Sequence, residues 1–333
     1  MVKNVELNIS MGQKRIFNYD YLDDARNIVD RHYNLYFVLL GDKYQIKRLI
    51  PEGRILNILC INKHTMEEFI IPYDLLLSLG AKDINCLNVE IADLGNIIHI
   101  EYSESGVIFL KENFPEIYVQ YLDFVRKSGK FCLNIHVTNL IDMLLSNENS
   151  DFVRKYKVLY IGQTKKENIF ERLENHSTIQ KIHRDVCKKY RDKELYILLS
   201  GVQCEAYTRE RIERYNTELI VEHPLGDHFV INDLICENEV IDIVEALLIS
   251  NFKPEYNRKM LDAKMSLKTY SCFKDGDIKR IFFSIDLYWE PSKEKSILFT
   301  DTTSTTTKSR LIICNYKDND VEMIYDDIED KMY

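Results

Sequence analysis

Residues 158–164 read Val158-Leu159-Tyr160-Ile161-Gly162-Gln163-Thr164. This short β-branched and aromatic run stopped by glycine predicts a strand that enters a tight turn. Thr164 followed three residues later by Glu167 has the pattern of a capping box and predicts a helix from near Lys165. Tyr160 then stands at a strand end beside a helix N-terminus. On that helix Arg172 and His176 are four residues apart, so both side chains leave the same face.

Further on, the apolar run Val240–Ile249 contains Glu245, whose neighbours at helical spacing are Ile241, Asp242, Leu248 and Ile249. An ionised carboxylate among aliphatic side chains is costly unless a cation or several donors meet it. Glu245 therefore asks for a metal, an arginine or a proton. The Pro-containing helix end Lys253-Pro254-Glu255-Tyr256-Asn257 follows.

In this order, Tyr160–Thr164, Arg172 with His176, Glu245 and Lys253–Asn257 resemble the GIY-YIG nuclease domain, closest to its restriction-enzyme-like members with an Arg-x-x-x-His helix. The resemblance covers the segment 130–262 and implies a small three-stranded sheet flanked by helices. It also implies a metal-dependent endonuclease with Mg²⁺ or Mn²⁺ as cofactor. Tyr160 would be the general base or water positioner, its phenol pKa lowered by neighbouring cations. Arg172 would contact the scissile phosphate, His176 would transfer a proton or touch phosphate, Glu245 would ligate the metal, and Asn257 would orient that region through its amide. No Gly-Ile-Tyr lies a dozen residues before Tyr160. Phe131–Val137 is the expected first strand, with His136, Tyr156 or a residue from elsewhere in place of its tyrosine.

A chain of 333 residues exceeds one ordinary core. The pattern predicts an α/β (α+β) protein: an N-terminal α/β domain over 1–128, the nuclease-like domain over 130–262, and a β-rich module with an acidic tail over 263–333. Hydrophobic content of 45% with 29% charged residues, no apolar run of membrane length and a polar N-terminus lead us to expect a cytoplasmic chain. Eight cysteines lie singly, without a Cys-x-x-Cys pair, as reduced and mostly buried thiols would. A structural zinc site is not expected, and His32, His64 and His99 read as ordinary surface or core histidines.

The total charge of −9 hides a basic island: residues 153–193 hold twelve Lys or Arg against five Asp or Glu, a net +7, leaving −16 elsewhere. Screening makes charge a local property, so Lys165, Lys166, Lys181, Arg184, Lys188 and Lys189 are candidate contacts to nucleic acid, DNA before RNA. A solvated helix face would give the same count. The N-terminal segment leaves room for a homodimer or a partner protein.

In chain order, helices are expected over Asp20–His32, from Pro115 to before Gly129, over Asn139–Ser150, from Ser177 (with Gln180, a second capping box), over Thr208–Glu222 and over Asn238–Asn251. Strands are expected at Leu35–Leu40, Arg54–Ile61, Glu68–Ile71, Asn96–Tyr102 and Leu195–Leu199, and in period-two runs after Ser266. The leading functional expectation is a DNA endonuclease of restriction or anti-phage defence. A catalytically silent binding module on the same fold and an RNA-cleaving toxin are the rivals.

Overall fold

The computed structural model describes residues 5–28, 33–146, 152–165, 168–214, 217–225, 237–261, 267, 270, 278–286, 296–301, 309–317 and 320–328. It is a mixed α/β structure. Two compact units divide it: one drawn from Met1–Gly41 and Val153–Tyr333, the other from Asp42–Phe152.

The first unit is organised on a nine-stranded sheet. Its strands are β1 (Val5–Asn18), β2 (Leu35–Asp42), β9 (Arg154–Gln163), β10 (Lys193–Arg214), β11 (Thr217–Leu225), β12 (Ile278–Asp286), β13 (Ser296–Phe299), β14 (Ser309–Lys317) and β15 (Asp320–Ile328). The order is β13-β9-β2-β10-β1-β12-β14-β15, with β11 paired to β10. Helices α6 (Ile169–Asn175) and α7 (Ser177–Lys189) supply Phe170, Leu173, Ile179, Ile182 and Val186 to the core over one face, against Tyr36, Val38 and Leu159. Helix α8 (Glu237–Phe252) supplies Val244, Leu248 and Phe252 to the core over the other, against Phe37, Leu39 and Val158. Strand β2 is thus covered on both sides, which is why Leu35–Leu40 is a continuous apolar run.

The strand beside β9 is β2, and the two run antiparallel with Tyr36 opposite Gly162 and Val38 opposite Tyr160. A bulge between Val38 and Leu39 then pairs Leu39 with Val158, so Leu159 is the extra residue. Leu159 and Tyr160 consequently share the face of Tyr36, while Tyr156, Val158 and Ile161 belong to the other core. A Cβ on Gly162 would lie 2.4 Å from both Cζ and the hydroxyl oxygen of Tyr36. The glycine is needed because the Tyr36 ring crosses the backbone there.

Several expectations change. The strand Phe131–Val137 exists as Leu133–His136 but pairs with Ile97–Tyr102 in the other unit, so neither it nor His136 belongs beside Tyr160. Tyr156 is a core residue, 1% exposed, its ring edge-on to Tyr196 at 5.1 Å with the Arg154 guanidinium 4.9 Å from its centroid. The division at 128 and 263 also fails: β1 and β2 share a sheet with β9, and so do β12 to β15. The sheet is therefore larger than the three strands the resemblance implies. Thr208–Glu222 is not a helix but the hairpin of β10 and β11, with Arg209 opposite Glu222 and Arg211 opposite Ile220. There the β-branched residues Thr217, Ile220 and Val221 and ladder pairing override the helix propensity of Arg and Glu.

The second unit has its own core, including Tyr44, Ile58, Ile71, Ile98, Leu140 and Ile141. It holds one sheet of β3 (Tyr44–Glu52), β4 (Ile55–Asn62) and β5 (Glu68–Asp74), and another of β6 (Leu87–Ala92), β7 (Ile97–Tyr102) and β8 (Leu133–His136). Helices α3 (Glu104–Asn113) and α4 (Pro115–Ser128) join β7 to β8, Pro115 opening α4 and Gly129 capping it at φ 81. Among the described residues no helix is long and apolar enough to cross a membrane.

Candidate active site

Local capping sets the two helices that carry Arg172 and His176. Asn168, not Thr164, is the N-cap of α6 and accepts from the Phe170 N–H, so the helix starts later than Lys165. Glu167 and Lys166 lie outside the described residues. His176 ends α6 and caps α7, its Nδ1 accepting from the Thr178 N–H at 3.3 Å. It takes the cap expected of Ser177, whose supposed partner Gln180 instead donates to the Glu174 carbonyl. The cap also fixes the tautomer. With Nδ1 an acceptor, a neutral imidazole carries its proton on Nε2, which lies 3.4 Å from the Tyr160 hydroxyl and donates to it.

Tyr36, Tyr160, Arg172, His176 and Glu245 come together. The Tyr36 and Tyr160 rings are 6.2 Å apart and the Tyr160 and His176 rings 5.4 Å. Burial raises the Tyr36 phenol pKa, and Tyr160 and Glu245 add to this while Arg172 opposes it. The Tyr36 hydroxyl is buried without a hydrogen-bond partner in good geometry. Tyr160 is also raised rather than lowered as expected: its burial comes first, then the Glu245 charge, and together they outweigh the Tyr36 hydroxyl and Arg172. His176 is lowered by burial and then by Arg172, so it is neutral near pH 7. Tyr36 is the residue missing from the sequence reading. Its only signal is that Leu35–Gly41 and Val158–Gly162 are both aromatic, β-rich runs ending in glycine.

Glu245 is 9% exposed, and burial pushes its carboxyl up to about 7. Gln163 Nε2 donates to Glu245 Oε2 at 3.0 Å and to Asp242, while Lys165 Nζ pairs with Asp242 at 2.5 Å. Lys165 thus serves a carboxylate and does not stand free for phosphate. The Gln163 Oε1 atom is buried with no hydrogen-bond partner. The Glu245 and Asp242 carboxylates both accept from Gln163 Nε2, and two neighbouring carboxylates are oxygen donors that fit a hard divalent cation.

Asn257 lines the same cleft as Tyr160 and Glu245, but its amide is bonded to the strand. Its Oδ1 accepts from the Ile161 N–H at 2.9 Å and its Nδ2 donates to the Ile161 carbonyl at 2.8 Å, while Tyr256 N–H donates to the Leu159 carbonyl. Strand β13 pairs with β9 only from Arg154 to Lys157. Tyr256 and Asn257 complete the hydrogen bonding beyond it, so Asn257 is a positioning residue for the strand that bears Tyr160.

A cleft of about 790 Å³ opens beside Tyr160 and Glu245, with Lys181, Arg184, Lys189, Arg258 and Lys259 among its lining residues. Lys188 is exposed on α7 outside that lining. Arg258 and Lys259 were not anticipated. Asp185 and Glu255 also line the cleft, Asp185 accepting from the Tyr256 hydroxyl. No protein-family model matches the chain, and no match is found among curated proteins or solved structures.

Proposed function

We propose that this chain hydrolyses phosphodiester bonds of a nucleic acid, DNA before RNA, in a metal-dependent reaction of the GIY-YIG type. The observation that carries the reading is the meeting of two phenols from adjacent strands, a guanidinium, a neutral imidazole and a buried carboxylate beside a cleft with basic walls.

Glu245, with Asp242 beside it, would hold Mg²⁺ or Mn²⁺, and such an ion neutralises charge on the phosphate oxygens. The other steps fall to side chains. His176 donates Nε2–H to the Tyr160 oxygen, which leaves the phenol O–H to orient an attacking water. For Tyr160 to act as base it must lose its proton; burial and Glu245 resist this, while the Tyr36 hydroxyl and then Arg172 favour it. Arg172 supplies paired N–H groups to the non-bridging oxygens. Tyr36 places a second hydroxyl beside the first and keeps bulk water out. Lys181, Arg184 and Lys189 align the nucleic-acid backbone along α7.

The test is cleavage of plasmid DNA and of single-stranded RNA by the purified chain with Mg²⁺ or Mn²⁺, beside Glu245→Gln and Tyr36→Phe. Expected is metal-dependent cutting, reduced at least about 100-fold in each variant. Cutting unaffected by Glu245→Gln overturns the assignment of the site. No cutting of any substrate favours a silent binding module, and preference for RNA favours a ribonuclease.

A further inference from the structure

The polar face of the β6-β7-β8 sheet gathers a second group of chemically capable side chains, in the unit Asp42–Phe152. His99 and Glu101 are two apart on β7 and so share a face. The register pairs His99 with Asn134 and Ile100 with Leu133, which brings Cys132 opposite Glu101. His99, Glu101, Cys132 and Asn134 thus form a square on two neighbouring strands. Cys132 Sγ lies against the imidazole, 3.0 Å from His99 Nε2 and 3.2 Å from Nδ1, and 3.6 Å from Asn134 Oδ1, while Nε2 is 3.3 Å from Glu101 Oε1. Among the described residues this is the one His, Cys, Asp or Glu trio with its ligand atoms all within 4.8 Å of one another.

The hydrogen bonding points to a cation. The Asn134 Oδ1 lies 2.8 Å from His99 Nδ1 and, as a carbonyl oxygen, accepts its N–H. That bond turns the lone pair of Nε2 toward Glu101 Oε1, so two acceptors face each other with a thiol beside them. The Lys130 ammonium meets Glu101 from one side, and a cation between Nε2 and Oε1 would satisfy both acceptors at once. A tetrahedral zinc ion with its usual bond lengths sets ligand atoms roughly 3.3–3.6 Å apart, close to the spacings here. The Asn134 contact is the outer partner that ligating histidines ordinarily have.

We propose that His99 Nε2, Glu101 and Cys132 Sγ bind a zinc-like divalent cation, with Asn134 fixing the histidine tautomer. The His99 and Glu101 side chains are 27% and 31% exposed, so solvent can fill the fourth position. Lys130 Nζ now holds Glu101 Oε1 at 2.5 Å, and its side chain is 69% exposed, so it can swing away. The bound ion would tie β8 to β7 and close the segment that holds α3 and α4.

The probe is Co²⁺ added to the full-length, chelator-treated protein, followed by Zn²⁺ competition. Expected is a thiolate-to-cobalt charge-transfer band in the near ultraviolet that saturates at one equivalent, is displaced by Zn²⁺, and disappears in Cys132→Ser. Asn134→Leu is expected to weaken binding about 10–100-fold. Glu245→Gln leaves the band unchanged. Absence of the band, or its survival in Cys132→Ser, overturns the proposal. If Cys132→Ser does not fold, His99→Gln replaces it, and an unaltered band there is equally fatal. None of these outcomes depends on nuclease activity.

Discussion

Replacing Gly162 by alanine puts a methyl carbon 2.4 Å from Tyr36 Cζ and its hydroxyl oxygen, and 2.8 Å from Cε2. Ordinary contact begins near 3.4 Å, so the ring must retreat by about 1 Å. It has nowhere to go, because Tyr36 is fully buried. Overpacking of this kind costs about 1–3 kcal/mol. For a unit of this size that lowers the melting midpoint by roughly 2–10 °C. Tyr36→Ala removes the obstructing atoms, at its own cost of about 3–5 kcal/mol. In that background Gly162→Ala is expected to be close to neutral, or to stabilise by a few tenths of a kcal/mol through lost freedom of the unfolded chain. The double-mutant cycle therefore gives a coupling of about 1–3 kcal/mol. Thermal denaturation measures it, and hydrogen exchange of peptides within 154–163 locates the effect even if the two units melt separately. Costs that add to within about 0.5 kcal/mol would refute the pairing of β2 with β9, whatever the activity.

The remaining tests are simpler. Asn257→Ala strands both backbone groups of Ile161, and a loss of about 2–4 kcal/mol in urea denaturation is expected; Asn257→Asp should fare no better, because a carboxylate cannot donate to the carbonyl. The Glu245 carboxyl has a folded pKa of about 7 against an ordinary value of 4.5, so the folded state holds the proton more tightly. Its contribution to metal-free stability is then largest below about 4.5, falls as pH rises to about 7 and levels off, by at most on the order of 3 kcal/mol; Glu245→Gln should remove that part of the profile in pH-dependent melts. Replacing Lys181, Arg184 and Lys189 by glutamine should weaken DNA binding and reduce the slope of log affinity against log salt by roughly 2–3, read by fluorescence anisotropy.

Local elements were legible in the sequence wherever a residue pattern had a local cause. The strand Leu35–Leu40, the helix begun by Pro115 and stopped by Gly129, and the helix around Glu245 all lie where periodicity and caps put them. Arg172, His176, Tyr160 and Glu245 were singled out by the ordered resemblance, and they lie close together although the helix of Arg172 begins at Ile169 and His176 stands just past its end. What stayed hidden was pairing. The cost of closing a loop grows only as the logarithm of its length, so no local signal says that β9 pairs with a strand on the far side of Asp42–Phe152. Tyr36 was missed for that reason, and the second phenol was sought in Phe131–Val137. The His99 cluster was hidden likewise, since Glu101 and Cys132 become neighbours only once the β7–β8 register is known. The Tyr160 pKa was misjudged because sequence counts the nearby cations but not the burial that opposes them.

Splitting a hairpin around a folded unit has a consequence for synthesis. At typical translation speeds, the ribosome needs on the order of ten seconds to make Asp42–Phe152. During that interval β2 exists without β9, and its run Leu35–Leu40, which ends fully covered on both faces, has no lasting cover. Meanwhile the intervening unit, with an interior made from its own residues, can fold first. The Tyr36–Tyr160 pair is therefore assembled late in the life of the nascent chain. Chaperone demand should fall on the N-terminal strands, and shortening Asp42–Phe152 should ease it.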